Sequence, residues 1–236
     1  MASLIGSVHA RARVCVDSVT RFLFPQRCAA CARPIESPTV LCAACWAAIP
    51  PAGLELCARC LVRERDPVGC ARHAGFRVRP GWVYDERAAE VISAFKYRSA
   101  RTLVPALSVT LARAARGPTP PDLVTEVPLH PARLRERGYN QAALLAEATA
   151  SLLAVPWLGG VLARTRATAP QAQLGPAARR ANLEDAFRIV RPECLSGKRI
   201  LLIDDVITTG ATLAACLETL EAAGAKPRGA TLAWAQ

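Results

Sequence analysis

Apolar positions recur in this chain with two periods, and the places where the period changes outline its elements. Ile200 to Ile203 is an unbroken apolar run with two β-branched residues, the pattern of a strand buried on both faces of a parallel sheet. Leu123 to Val127 is a second candidate core strand, and Trp82 to Tyr84, Trp157 to Ala163, Ala186 to Val190 and Ala230 to Ala235 read as further strands. Helical spacing covers Ala88 to Tyr97, with Val91, Ile92 and Phe95 on the buried side, and Val104 to Ala115, with Pro105 in its first turn. It returns from Asn140, an N-cap, to Leu153, and again where Leu213, Leu217 and Leu220 share a side ahead of the C-cap Gly224. Strands alternating with helices predict an α/β domain over residues 80–236. Residues 1–24 carry apolar residues interrupted by His9, Arg11, Arg13 and Asp17 and read as an amphipathic helix packed on the body of the protein. A membrane-surface role is the alternative for that helix.

Between them, residues 25–79 have a different texture, dominated by paired cysteines. Cys28-x2-Cys31, Cys42-x2-Cys45, Cys57-x2-Cys60 and Cys70-x2-His73 follow in order, with ten residues between the first two pairs and nine between the last two. Two ligands three positions apart are presented by one turn to one tetrahedral ion, and two such pairs close a zinc site. The spacing suggests two successive ribbons, Cys28/Cys31/Cys42/Cys45 and Cys57/Cys60/Cys70/His73, with interleaved pairing the alternative. Four protein ligands leave no open position for catalysis, so one or two structural Zn2+ ions are expected, in place of a core too small to fold unaided. No uninterrupted apolar stretch marks a secretion signal or a membrane span, so a cytoplasmic protein is expected, whose ten cysteines serve metal rather than disulfides. Cys15, Cys194 and Cys216 lie outside the pattern, Cys216 on the apolar side of a helix.

The apolar run at Ile200 ends in chemistry. Asp204 and Asp205 are followed by Thr208, Thr209, Gly210, Ala211 and Thr212, a turn of small and hydroxyl residues that opens a helix. Free N–H groups and the dipole at a helix start favour phosphate, threonine hydroxyls add donors, and glycine lets the backbone come close. Carboxylates at the end of a strand accept hydrogen bonds from vicinal ribose hydroxyls, directly or through hydrated Mg2+. The stretch resembles the phosphoribosyl-pyrophosphate (PRPP) motif of type I phosphoribosyltransferases. An ordinary strand-loop-helix unit is the plain alternative.

Charge enlarges this picture. A net charge of +11 and a pI near 9.6 suit an acidic partner, a polyphosphate or a nucleic acid, or simply a solvated basic surface. Two basic excursions follow predicted strands. Pro128 to Gln141, with Arg133, Arg135 and Arg137, reads as a charged, glycine-containing loop, and His130 within it as a structural hydrogen bonder. Arg164 to Asn182, with Arg166, Gln171, Gln173, Arg179 and Arg180, reads as a long lid-like loop. Arg27, Arg33, Arg59, Arg63, Arg65 and Arg72 in the ribbons are a candidate nucleic-acid face, with Tyr139 or Trp46 available to stack on bases.

The assembled order resembles the ComF family of competence-associated proteins. The pieces are Phe24-Pro25-x-x-Cys28-x-x-Cys31 with the later pairs, Phe95-Lys96-Tyr97, Val127 to His130 with Arg135 to Gln141, Gln171 with Arg179 and Asn182, and the stretch 199–213. The resemblance implies a zinc-ribbon module before a type I phosphoribosyltransferase-like fold, and a role in moving incoming single-stranded DNA at the inner membrane. Its implied partners are PRPP with Mg2+, single-stranded DNA, and a DNA-uptake helicase or channel component, for a cytoplasmic protein that can sit peripherally at the membrane's inner face. The alternative is an active transferase: Asp204 and Asp205 hold the ribose, Thr208 to Thr212 the 5′-phosphate, and Arg135, Arg137 and Arg179 with Mg2+ the departing pyrophosphate. A structural adaptor that docks a helicase-like protein through its ribbons is a third reading.

Overall fold

The computed structural model describes residues 27–35, 40–64, 70, 73, 75–97, 100–165 and 186–235. The N-terminal segment 1–24, Cys15, Arg65, Arg72, Gln171, Arg179 and Asn182 therefore lie outside the described residues, as does nearly all of the lid-like loop. The elements are α1 (Ala43–Ala47), β1 (Glu55–Cys57), β2 (Arg63–Glu64), β3 (Arg77–Val83), α2 (Glu86–Tyr97), α3 (Ala100–Ala114) and β4 (Leu123–Glu126). They continue with α4 (Pro131–Arg137), α5 (Gln141–Leu153), β5 (Leu162–Arg164), β6 (Phe187–Ile189), β7 (Arg199–Ile207), α6 (Ala211–Ala222) and β8 (Lys226–Trp234).

Six strands form one sheet in the order β2-β1-β3-β8-β7-β4. The pairs β3/β8, β8/β7 and β7/β4 are parallel, and β1 joins β2 and β3 antiparallel. β7 sits inside the parallel part because its apolar run satisfies both faces. Ile200 and Leu202 pack with α6 and the second ribbon, whereas Leu201 and Ile203 pack with α2, α3 and α5, and all four are fully buried. Each such side chain contributes about 1.5–3 kcal/mol of burial. Asp122 ties the start of β4 to β7, accepting from the Arg199 backbone N–H at 2.8 Å and from its guanidinium. Hydrogen bonds from Arg199 hold this carboxyl well below the usual carboxylate range.

α3 starts at Ala100, so Pro105 lies inside the helix rather than in its first turn. Leu103, Leu107 and Leu111 form one fully buried stripe, and Pro105 stands on the solvent face. Burying the whole stripe outweighs the one ladder bond that a proline cannot donate. At the other end, Arg228 Nη2 donates to the Ala115 carbonyl at 2.9 Å and Arg79 Nη1 to that of Arg116, a cationic finish that suits the helix dipole.

The segment 131–137, expected as a loop, is a short helix. It lacks an apolar stripe and is made by its ends: His130 Nδ1 accepts from Ala132 N–H at 3.2 Å, Pro131 opens the first turn, and Gly138 closes it at φ 77°. His130 is thus the structural hydrogen bonder expected of it. The predicted strand over Trp157 to Ala163 is also revised. Trp157 makes only an isolated bridge to Val124, and the strand proper is Leu162–Arg164, paired antiparallel with β6 outside the main sheet.

The two ribbons dock differently. Cys28, Leu41 and Ile49 of the first pack on the α2/α3 side around Trp82, whose ring meets Trp46 edge-on at 5.6 Å. The second enters the sheet through β1, and Leu56, Cys57, Ala58 and Phe76 join Leu213 and Leu217 of α6 in the opposite core. β3 runs across residue 79, where the sequence changes texture, so hydrogen bonding is continuous from ribbon to sheet.

Candidate functional site

Four groups of chemistry-bearing residues stand on this frame: two clusters of metal-ligand type, an acidic turn and a basic helix. In the first cluster the ligand atoms of Cys28, Cys31, Cys42 and Cys45 all lie within 4.8 Å of one another, and in the second so do those of Cys57, Cys60, Cys70 and His73. Successive pairing is therefore the arrangement adopted. The separations of 3.7 Å for Cys31–Cys42, Cys60–Cys70, Cys57–His73 and Cys70–His73 match the roughly 3.8 Å edge of a tetrahedron with ~2.3 Å zinc–sulfur bonds. They are far too long for disulfides, and the cysteines among the described residues are free.

Crowding splits the acidities of these thiols. Against the burial that pushes it up, backbone N–H groups of Cys42, Cys31 and Ala30 bring Cys28 down to about 6, whereas the neighbouring Cys31 and burial push Cys45 up to about 12. Four thiolates this close repel, and a dication between them removes the repulsion. Four such ligands would hold a structural Zn2+, which would supply folding energy and leave no position open for catalysis. In the second cluster, burial raises Cys57 to about 11. Cys216, outside both clusters, is buried beneath α6 as a small core residue, and burial raises its thiol well above the ordinary range.

The acidic turn stands on β7, which continues through both carboxylates to Ile207 instead of ending before them. Asp204 pairs in register with Thr231 of β8, and its Oδ1 accepts from Asp205 N–H at 2.9 Å. Burial first, and then the charge of Asp205, raise Asp204 to about 7, while the cations of Lys96 and Arg164 act in the opposite direction. Asp205 Oδ2 is met by Lys96 Nζ at 2.8 Å, a partly buried pair across 109 positions of sequence between α2 and β7. Beyond them Thr208 is exposed and Thr209 half-buried. Gly210 is the N-cap of α6 at φ 73°, ψ −9°, and offers no side chain to the first-turn amides. Ala211 and Thr212 follow in that first turn.

Among the basic residues expected near this turn, Arg137 is brought close. Its guanidinium lies 5.5 Å over the ring of Tyr97, the neighbour of Lys96, and donates to Gln141 Oε1 at 3.3 Å. Arg135 is exposed on α4 and forms no ion pair among the described residues, and Arg179 is outside them. Arg133 and Asp204 both act electrostatically on Arg164, so the start of α4 also faces this corner. The sequence offers Lys96 within Phe95-Lys96-Tyr97 without a role at this turn, and does not single out Glu126. That carboxylate, buried at the end of β4, accepts from Trp157 Nε1 at 3.0 Å and Gly160 N–H at 2.9 Å and fixes the connection into β5. A lone glutamate within a core strand was the available signal.

Three of the ribbon arginines among the described residues have side-chain contacts. Arg59 reaches Glu218 at 3.6 Å and lies over Phe76, Arg63 lies over Trp234 at 4.8 Å, and Arg27 donates to the Ala32 carbonyl. Tyr139 and Trp46 are half-buried and pack one side against the core. No helix among the described residues is long and apolar enough to cross a membrane.

A parallel sheet carrying this acidic turn, with two thiol centres grafted on its edge and face, defines the class: a double zinc ribbon joined to a phosphoribosyltransferase-type domain. The sequence matches the double zinc ribbon domain over residues 19–72 and the phosphoribosyl transferase domain over residues 140–235. It is similar to DNA utilization protein YhgH of Salmonella typhimurium strain LT2, 31% identical over 212 residues that cover 84% of this chain and 85% of that protein. Competence protein F of Haemophilus influenzae is 34% identical over 159 residues, 61% of this chain and 69% of that one. The chain belongs to the family of these proteins, the ComF family. Among solved structures, adenine phosphoribosyltransferase from Leishmania donovani aligns over 60% of this chain and 68% of its own, with 18% identity and a TM-score of 0.37.

Proposed function

We propose that this protein binds PRPP with Mg2+ at the acidic turn and acts in DNA utilization of the competence type, handling single-stranded DNA. The observation that carries the ligand is the juxtaposition on β7 and α6. Two carboxylates, one held by Lys96, stand beside a twelve-residue helix whose N-cap is a glycine with no side chain. Carboxylates accept from the ribose hydroxyls, and the amides and hydroxyls of residues 208–212 receive the 5′-phosphate. Asp204 and Asp205 would hold Mg2+ with the ligand, and the ion would supply positive charge against the pyrophosphate. In this reading Arg137, beside Tyr97 and Lys96, complements the same pyrophosphate, and Arg135 and Arg179 are assigned the same role.

The nucleic-acid part is supported by charge and by the names of the relatives. Its charge support lies in a cleft of about 500 Å3 between residues 51–55 and the end of α3. Arg113 and Arg116 line it with Pro80 and Gly81, beside Arg79, which is ion-paired with the single carboxylate, Glu55. A surplus of guanidinium groups of this kind neutralises a phosphodiester backbone without reading bases.

Fluorescence anisotropy of labelled single-stranded DNA over a salt series tests the second part. Binding that weakens steeply with salt is expected, and no binding at low salt contradicts it. Pyrophosphate release over a panel of bases and amines distinguishes a PRPP binder from a transferase.

A further inference from the structure

The second zinc centre and the acidic turn are built against each other. A Cβ placed on Gly210 would lie 1.9 Å from the carbonyl oxygen of Ala58 and 2.9 Å from its carbon, with Leu61 Cδ2 at 3.2 Å. Positive φ alone admits glycine or asparagine, but a backbone carbonyl at this range leaves room for glycine only. Ala58 stands between the ligands Cys57 and Cys60, is fully buried, and donates its N–H to the Phe76 carbonyl at 2.7 Å. Leu61 N–H closes the same knuckle on the Cys57 carbonyl at 2.8 Å. The backbone that presents the thiols is therefore the back wall of the turn that opens α6. The first centre packs around Trp82 on the other face of the sheet.

We propose that the Cys57/Cys60/Cys70/His73 centre is a working part of the anion site: metal there holds the knuckle, and the knuckle positions the turn 208–212. A knuckle freed of metal no longer supports the Gly210 backbone, and a turn that is displaced pushes on Ala58 and loosens the ligand set. Linkage makes the effect reciprocal, so an anion in the turn and metal in this centre stabilise each other. The identity of the anion rests on the PRPP reading; the dependence of the turn on the metal does not.

Hydrogen–deuterium exchange on the full zinc-loaded chain separates the two. In His73→Ala, amides of residues 206–213 exchange about fivefold faster or more, while residues 43–49 of the first ribbon keep their rate. An unchanged rate at 206–213 overturns the proposal. Should His73→Ala fail to fold, Gly210→Ala decides by zinc release to a colorimetric chelator without any ligand. One equivalent leaves about fivefold faster than in the wild type if the turn leans on the knuckle, and identical release overturns it. PRPP with Mg2+ is then added to the wild type. Slower release of that equivalent supports both readings, and bound PRPP with unchanged release overturns the reciprocity. Absent PRPP binding sinks only the PRPP reading, since exchange has already judged the coupling.

Discussion

Asp204 carries an energetic conflict that its position explains. Burial and the adjacent Asp205 raise it to about 7, so between about pH 4 and about pH 7 the native state holds a proton that the unfolded chain has lost. Its contribution therefore favours folding at low pH and fades as pH rises through about 7. Asp204→Asn is expected to stabilise the ligand-free protein near pH 8 by on the order of 1–2 kcal/mol, seen as a higher melting temperature, with no gain near pH 4. Thermal denaturation at the two pH values checks this. Asp122 runs the other way: Arg199 holds it low, so its contribution is present above the carboxylate range and is lost in acid. Asp122→Asn should lower the melting temperature at neutral pH and converge with the wild type in strong acid. A polar group that destabilises the resting fold marks a residue kept for binding.

At the scale of elements, the parts legible in the sequence were those fixed locally. The run Ile200 to Ile203, the Asn140 cap with its Oδ1 on Ala142 N–H, and the stripe Leu213, Leu217, Leu220 all appear as read. The two clusters of four ligand-type side chains were equally legible, because turn geometry sets their spacing. Extents were less so: β8 begins at Lys226 and β3 at Arg77, since neighbouring strands rather than their own apolar residues prolong them. α4 was hidden because a helix made by His130, Pro131 and Gly138 shows no apolar period. Lys96–Asp205 and Gly210–Ala58 join distant segments, and no local pattern announces them. α3 offers a test of what holds an element with an internal proline. Leu107→Ala, at the centre of its buried stripe, should cost about 2–5 kcal/mol in urea denaturation.

The whole molecule places its chemistry on separate parts of one continuous sheet. The acidic turn lies in the later half of β7, while the arginine cleft lies by β3 and the end of α3 and contains none of the residues of that turn. Arg113→Glu with Arg116→Glu is expected to weaken single-stranded DNA binding at every sequence tested. It should also flatten the slope of log affinity against log salt by roughly 1.4, two phosphate contacts' worth. PRPP-dependent stabilisation and zinc content should not change.

That a phosphoribosyl ligand occupies the acidic turn is tested most directly by thermal shift with PRPP and Mg2+ on the wild type and on Asp204→Asn with Asp205→Asn. PRPP should raise the wild-type melting temperature by several degrees and leave the double variant unmoved at unchanged zinc content. An equal shift in the double variant, or none in the wild type at saturating PRPP, contradicts it.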